Sequence, residues 1–217
     1  MKIQFVLLAD SYKCNGHCIA GKIIPSNKWI RPVNTDINTG LSDRQISYED
    51  GSLPKLLDII EIDVLRADPL DNQTENYIIN ENETWIKIGE YPITTLDLLV
   101  DKNISFLQYT ENSSTKMNTR INTSFVQQNI NNSLLFVKIP KAEVSVIFKD
   151  PENDPYRKDT ILKFNLLNKL YEIPIKYKNN PYANINIYPI DKAFYATISL
   201  ALDYYDYCYL VIAGLIL

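Results

Sequence analysis

Two cysteines and the single histidine of the chain lie within five residues near the amino terminus: Cys14, His17 and Cys18. Thiolate and imidazole groups are ligands that zinc prefers, and together they can also supply a nucleophile and its base. A structural zinc site needs four ligands, and the remaining cysteine, Cys208, lies near the other end of the chain. His17 and Cys18 are adjacent, so in a strand they point to opposite faces. The pattern therefore favours neither a metal site nor a cysteine nucleophile.

Other catalytic patterns are also missing from the sequence. The chain has six glycines, and neither GxxxxGK[ST] nor GxGxxG, the loops that hold phosphates, occurs. Glu61 and Asp63 share one face of a predicted strand, as metal-binding carboxylates can, but the same spacing is typical of a solvated strand face. We therefore predict that the protein is not an enzyme and uses no cofactor.

The polar residues around the cysteines are better candidates for binding a ligand. Ser11 and Lys13 have the same parity in an extended segment, so both can face one ligand. Arg31 lies between two apolar residues, where a guanidinium needs a fixed anionic partner. That partner is either a bound ligand or an internal carboxylate, such as Asp10 or Glu61.

Two aromatic residues lie close to these polar residues in the sequence, Tyr12 and Trp29. Their rings offer stacking surfaces for a nucleic-acid base, an interaction worth roughly 1–3 kcal/mol per base. The alternative use of such rings is packing in the core or at its rim. Both uses stay open at this point.

Hydrophobic runs and turn signals predict the elements that position these residues. Apolar runs at 3–9, 17–25 and 28–34, separated by turn residues that include Asn15-Gly16, predict a three-stranded meander. Ser42 followed by Gln45 is a capping-box pattern, which predicts a short helix that ends by Gly51. Residues 58–65 alternate in hydrophobicity and predict a half-buried strand.

The second half of the chain has a different pattern. Leu96, Leu99 and Val100 have helical spacing, so we expect a helix over 93–108 with Thr95 as its N-cap. Residues 109–133 are rich in Asn, Ser and Thr and predict a long loop. Beyond it, short apolar runs recur without helices, which is typical of a small barrel: 134–140, 142–148, 161–167, 171–177, 193–200 and 208–217.

Charge and composition limit the partners and the compartment. The net charge is −4; residues 51–112 carry −8 and residues 113–217 carry +3, so the chain as a whole lacks the basic surplus usual in proteins that bind phosphates. The first apolar run is too short for a signal peptide, and the apolar tail is too short to span a bilayer. With an odd number of cysteines, these features predict a cytoplasmic protein that does not enter a membrane.

The opening segment LADSYKCNGHCIAGKIIPSNKWIRPVN resembles the start of the dual OB-containing domain family. In that family a Ser, a basic residue and a Gly-containing turn precede a Cys-hydrophobic-Ala-Gly strand and then Trp-Ile-Arg-Pro-Val. The segment PLDNQTENYIIN resembles the family's Pro-x-x-x-Gln-x-Glu-Asn-aromatic stretch, and the last 22 residues resemble its closing pair of strands. The sequence departs from the family where Ala201-Leu202-Asp203 replaces Gly-Glu-Pro.

The resemblance implies a mainly β protein with two small OB-like β-barrels and a few short helices. We expect the first barrel over 1–92, a helical and polar connection over 93–133 and the second barrel over 134–217, with the last strand free to pack near the first barrel. Arg120 resembles a basic position in the family's middle segment and joins the candidate ligand-binding residues. The resemblance implies a binding module for single-stranded RNA or DNA, or for a nucleotide. A protein-interaction subunit of a larger complex is the alternative.

Overall fold

A computed structural model of the chain describes residues 1–13, 16–36, 39–150 and 154–217, without the side chains of Lys13, Ser105, Asp150 and Pro155. The chain divides into two compact units, each with its own hydrophobic core. The unit that we call the first barrel comprises Met1–Val100 and Asn131–Leu134. The second barrel comprises Asp101–Ile130 and Leu135–Leu217. Residues 93–133, predicted as a connection, are thus shared between the two units.

The first barrel is built from strands that close on themselves. Its described elements are β1 (Lys2–Lys13), β2 (Gly16–Ile23), β3 (Trp29–Val33), α1 (Asp43–Ile46), β4 (Asp58–Ala67), β5 (Asn76–Ile79), β6 (Ile86–Glu90) and the 3₁₀ helix Ile93–Leu99. The strands pair in the order β1-β2-β3-β5-β4, and β4 pairs again with β1, which closes a five-stranded barrel. Only β3 and β5 run parallel within this described ring.

The structure confirms three local predictions for the first barrel. β1, β2 and β3 pair consecutively, which confirms the meander; its turn residues Cys14 and Asn15 lie outside the described residues. Ser42 and Gln45 form both hydrogen bonds of the capping box at the start of α1. Ile60, Ile62 and Val64 of β4 are buried in the barrel core, as their alternation predicts.

A glycine allows β1 and β2 to approach closely. Gly21 lies opposite Leu7, and a Cβ atom at this position would lie 2.0 Å from the backbone oxygen of Val6. Every residue with a side chain would therefore push the two strands apart. Gly21 therefore permits the close approach of β1 and β2 in the closed barrel.

The second barrel contains two four-stranded sheets around an apolar core. Its described elements are the 3₁₀ helix Ser105–Tyr109, β7 (Arg120–Asn122), α2 (Thr123–Asn129), β8 (Leu134–Ile139), β9 (Ala142–Asp150), β10 (Asp154–Leu166), β11 (Lys169–Pro174), β12 (Asn186–Ile190), β13 (Phe194–Tyr204) and β14 (Tyr207–Ile216). The sheets have the orders β11-β10-β9-β12 and β7-β14-β13-β8. Just after β11, a parallel bridge between Ile175 and Ile212 joins one sheet to the other.

The second barrel repeats the pairing order of the first. Two residues, Pro140 and Lys141, separate β8 from β9, so these strands together stand where β1 stands in the first barrel. β9 pairs with β10, and β10 pairs with β11. The parallel bridge then leads from the end of β11 to β14, which pairs with β13, and β13 pairs with β8. This arrangement is a half-barrel rather than a closed ring. The predicted mainly β fold with two OB-like barrels is confirmed.

Two local predictions in the middle of the chain are wrong. Residues 93–108 form two short 3₁₀ helices rather than one α-helix, and the first begins after Pro92, with Thr95 inside it. Its tight turn still buries Leu96 and Leu99, the residues whose spacing indicated a helix. Residues 109–133, predicted as a long loop, contain β7 and α2. Among the described residues, no helix is long and apolar enough to cross a membrane.

Candidate functional site

Arg31, the strongest of the predicted ligand contacts, lies in a buried polar group of the first barrel. The residue is 3% exposed on β3, and its Nη2 atom donates a hydrogen bond of 2.7 Å to the hydroxyl of Ser133. The same Nη2 atom lies 3.1 Å from Glu75 Oε1, which also accepts a hydrogen bond from the Ser133 hydroxyl. Glu75 is 5% exposed and Ser133 is fully buried. We call Arg31, Glu75 and Ser133 the polar cluster.

The polar cluster supplies the internal anion that a buried guanidinium needs. That anion is Glu75, which was not among the predicted partners of Arg31. Asp10 is hydrogen bonded to His17, and Glu61 accepts hydrogen bonds from Lys2 and Gln4. Contact between Arg31 and a ligand stays a prediction.

The other predicted residues of the first barrel are not gathered around one surface. Ser11 is buried at 5% exposure, whereas its neighbour Tyr12 is 61% exposed. The side chain of Lys13 lies outside the described residues. Trp29 is half-buried, and its ring centroid lies 5.2 Å from Nζ of the buried Lys22. Of this set, only Tyr12 presents a largely exposed described side chain.

The histidine of the cysteine-rich opening is held between two carboxylates. His17 Nδ1 lies 2.7 Å from Asp10 Oδ1, and Nε2 lies 2.8 Å from Asp43 Oδ1. Each ring nitrogen therefore has a carboxylate partner, and the imidazole ties β1 and β2 to the first residue of α1. Cys18 and Cys208 are not joined in a disulfide, and Cys14 lies outside the described residues. In the described part of the chain, no group of three or more His, Cys, Asp and Glu residues could hold a metal ion.

Arg120, the candidate of the second barrel, lies on an aromatic surface. Four tyrosines surround the hairpin between β13 and β14, and Arg120 on β7 pairs with Tyr209 of β14. Cross-strand partners share a face of a sheet, as do residues two apart along a strand. Tyr204, Tyr207, Tyr209 and Arg120 therefore lie on one face, with Tyr205 in the turn. We call these five residues the tyrosine platform.

Contacts between the side chains organise the tyrosine platform. The guanidinium carbon of Arg120 lies 3.8 Å from the ring centroid of Tyr207, a cation–π contact, and Nε lies 3.2 Å from Glu111 Oε1. A hydrogen bond with Tyr209 raises the pKa of Arg120. The rings of Tyr204 and Tyr205 meet edge to face with centroids 4.6 Å apart.

The hairpin turn presents the outermost rings to solvent. Tyr205 and Asp206 form a two-residue turn with φ angles of 50° and 65°, the positive values that type I′ hairpin turns require. Tyr204 is 64% exposed and Tyr205 is 79% exposed. In the pairing order shared by both barrels, this turn joins the fourth strand to the fifth. In OB barrels that loop is one of those that bind oligonucleotides and oligosaccharides.

A second exposed surface of this barrel combines aromatic and basic residues. It lies on β9 and β10, beside the connection 151–153, which is outside the described residues. Tyr156 is 89% exposed and Phe148 is 44% exposed. Lys149, Arg157 and Lys158 are exposed beside them. In the barrel order this hairpin joins the first strand to the second, another ligand-binding position of OB barrels.

Sequence reasoning missed Glu75, Ser133 and most of the tyrosine platform. Glu75 belongs to the segment that carries the family resemblance, so its position was a usable signal. Ser133 is 102 residues from Arg31, and no local pattern marks it. The segment DYYDYCY was also a usable signal, because its tyrosines flank a two-residue turn and alternate along one strand.

The comparison with known families agrees with the fold and with the opening motif. The family model described as the dual OB-containing domain matches residues 3–215, nearly the whole chain. No curated protein matches the chain. The resemblance that the opening motif indicated is confirmed.

Proposed function

The chain belongs to the dual OB-containing domain family, and from this membership we propose that it is a non-catalytic binding module whose second barrel binds single-stranded nucleic acid. The fold supports binding as the general role. The choice of single-stranded nucleic acid depends on one observation, the tyrosine platform on the hairpin between β13 and β14.

The tyrosine platform has the properties that unpaired bases need. Two of its rings are more than three-fifths exposed, and a guanidinium is stacked on a third ring. Stacking of a base on an aromatic side chain is worth roughly 1–3 kcal/mol and requires bases that are not already paired. A double helix hides the faces of its bases, so a single strand is the form of nucleic acid that fits.

The charge of the second barrel supports the same assignment. The first barrel has nine basic and fifteen acidic residues, whereas the second has thirteen basic and eleven acidic residues. The net charges are therefore −6 and +2. Lys149, Arg157 and Lys158 are exposed cations that can contact phosphates, and Tyr156 adds a further ring. The net negative charge of the first barrel makes its surface less favourable for binding the phosphates of a nucleic acid.

A titration of the whole protein with short labelled oligonucleotides tests the proposal. Fluorescence anisotropy with single-stranded RNA and DNA at about 50 mM salt is expected to show binding that weakens at about 200 mM salt. Tyr205→Ser is expected to lower the affinity about tenfold, because it removes the most exposed ring of the platform. Tyr12→Ser is the matched control, since Tyr12 is 61% exposed on the first barrel.

Two results would overturn the proposal. The first is the lack of any salt-dependent binding of the wild-type protein to RNA or DNA. The second is an equal loss of affinity in Tyr205→Ser and Tyr12→Ser, which would remove the second barrel as the binding surface. Circular dichroism of each variant verifies that the fold is retained.

A second candidate function, interaction with a basic protein, is favoured by a cleft on the first barrel. The cleft consists of two adjoining hollows of about 660 and 810 Å³ that share Tyr48, Glu49, Asn82, Glu83 and Thr84. Asp50 and Glu81 also line it, so four carboxylates face the space. Two cations, Arg44 and Lys87, also line the cleft, so its lining carries a net charge of −2. A cleft of net negative charge attracts partners of the opposite charge.

This second candidate has its own test. A partner that uses the cleft should form a stoichiometric complex on size-exclusion chromatography, and Glu49→Gln combined with Glu83→Gln should weaken that complex. An unchanged complex would exclude the cleft as its binding surface. Nucleic-acid binding of the same double variant should match that of the wild type.

A further inference from the structure

We infer that the tyrosine platform selects bases that present N–H groups, with guanine preferred, and that Asp206 makes this selection. The inference rests on the proposed function, because it concerns which bases the same surface takes. It follows from the exposed carboxylate in the turn of the platform, which accepts hydrogen bonds and donates none.

Asp206 is an exposed acidic residue whose backbone is held in the turn that carries Tyr205. It is the second residue of the two-residue turn and lies between Tyr205 and Tyr207 in the chain. Its backbone oxygen accepts a hydrogen bond of 2.9 Å from the amide of Thr123, which anchors the turn to the start of α2. No described residue forms a hydrogen bond or ion pair with the Asp206 carboxylate, so both of its oxygens can accept hydrogen bonds from a ligand.

The cation of the platform is already engaged. Arg120 is paired with Glu111, stacked on Tyr207 and hydrogen bonded with Tyr209. Together, Arg120, Glu111 and Asp206 carry one positive and two negative charges. A phosphate placed beside Asp206 would be repelled. The nucleotide must therefore present its base to Asp206 and direct its phosphates away from the platform.

A carboxylate distinguishes the bases by their donors. An ionised carboxylate accepts hydrogen bonds only, and it can accept two parallel ones. The Watson–Crick edge of guanine, which a single strand leaves free, carries two adjacent donors, N1–H and the N2 amino group. Cytosine and adenine each offer one amino group at this edge. Thymine offers only N3–H, and the two carbonyl oxygens beside that donor are repelled by the carboxylate.

Single-base changes in one oligonucleotide test the inference. Three labelled oligothymidines carry guanine, hypoxanthine or thymine at the central position; hypoxanthine is guanine without its N2 amino group. The wild-type protein is expected to bind the guanine strand about three- to tenfold more tightly than the other two, the range for one added hydrogen bond. Asp206→Asn is expected to reduce the guanine-to-hypoxanthine ratio to below about twofold.

The ratio is the quantity to compare, because removal of a negative charge can strengthen binding to every strand. Asp191→Asn is the matched control: it makes the same charge change at an exposed position of the second barrel, and it should keep the wild-type ratio. If the wild type binds all three strands equally while Tyr205→Ser weakens each of them, the inference fails and the proposed function stands. If the wild type binds none of them, nor any other single strand, the proposed function fails as well. A ratio that Asp206→Asn leaves unchanged removes Asp206 from the selection.

Discussion

The connection between the fourth and fifth strands differs sharply between the two barrels. In the first barrel it is residues 68–75, and the side chains of Asn72, Gln73 and Glu75 at its end are buried. In the second barrel it is the two-residue turn Tyr205-Asp206, which is exposed. In the same place in the pairing order, the first barrel therefore buries three polar side chains of the loop, whereas the second barrel exposes both residues of the turn.

The difference shows that repetition of a fold does not repeat a site. In the first barrel Glu75 of this loop forms an ion pair with Arg31. Arg31, which the sequence suggested as a ligand contact, is therefore part of the barrel interior. The second barrel leaves the equivalent position to aromatic side chains. The fold fixes where the loop lies. The side chains of the loop determine whether it stabilises the barrel interior or is available to bind a ligand.

Among single substitutions, Arg31→Met is expected to have the largest effect on the stability of the first barrel. It leaves the Glu75 carboxylate buried without its cation, so the first barrel should lose about 3–5 kcal/mol of unfolding free energy. Trp29 and Trp85, the two tryptophans of the chain, lie in the first barrel, so their fluorescence during urea unfolding reports on that barrel. Arg66→Met, which breaks an exposed ion pair, should cause little change.

The double variant Arg31→Met with Glu75→Leu adds a stricter test. It removes both charges, and it should recover much of the stability that Arg31→Met loses. Equal unfolding midpoints for the Arg31→Met and Arg66→Met variants would show that the polar cluster does not stabilise the first barrel.

A smaller effect is expected from Gly21→Ala. The added methyl group would lie 2.0 Å from the Val6 oxygen, so β1 and β2 must separate, and the first barrel should lose about 1–3 kcal/mol or more. Gly89→Ala on β6 is the control, because a Cβ atom there has no described atom within 4 Å. The corresponding strand of the half-open second barrel, β10, contains no glycine. A tolerated Gly21→Ala would mean that closure of the first barrel does not depend on this approach.

The smallest effect is a pH dependence of the first barrel. A hydrogen bond from Lys2 lowers the pKa of Glu61, and one from the amino terminus lowers the pKa of Asp63. A lowered pKa in the folded state adds stability above the pKa of the unfolded chain and loses it as the pH falls through the folded value. Tryptophan-detected thermal unfolding should therefore shift to lower temperature below about pH 4. Glu61→Gln should weaken this dependence, and an acid-independent midpoint would contradict the prediction.

Much of the fold could be predicted because its signals are local. The capping box at Ser42, the alternation along β4 and the turns between short apolar runs each involve neighbouring residues. Hydrophobic spacing does not distinguish the 3₁₀ helix Ile93–Leu99 from an α-helix, because both bury leucines three residues apart. Element type there depends on hydrogen-bond geometry that hydrophobic spacing does not encode.

The candidate sites were harder to predict because they depend on long-range pairing. Arg31 needed an anion, but the sequence could not indicate that its carboxylate would come from Glu75, just before β5, the parallel neighbour of β3. Arg120 was identified through the family resemblance, and its tyrosine neighbours come from a hairpin more than eighty residues away. Parity on β14 places Tyr207 and Tyr209 on one face, but only the pairing with β7 adds the guanidinium.

The polar cluster also sets an order of events during synthesis. Arg31 and Glu75 belong to the first hundred residues, but Ser133, which bonds to both, comes from a segment made after the first 30 residues of the second barrel. A nascent chain that stops at residue 100 carries every strand of the first barrel and lacks the hydroxyl that completes its interior. The first barrel can therefore reach its final form only after residue 133 has left the ribosome, when 30 residues of the second barrel have already been made.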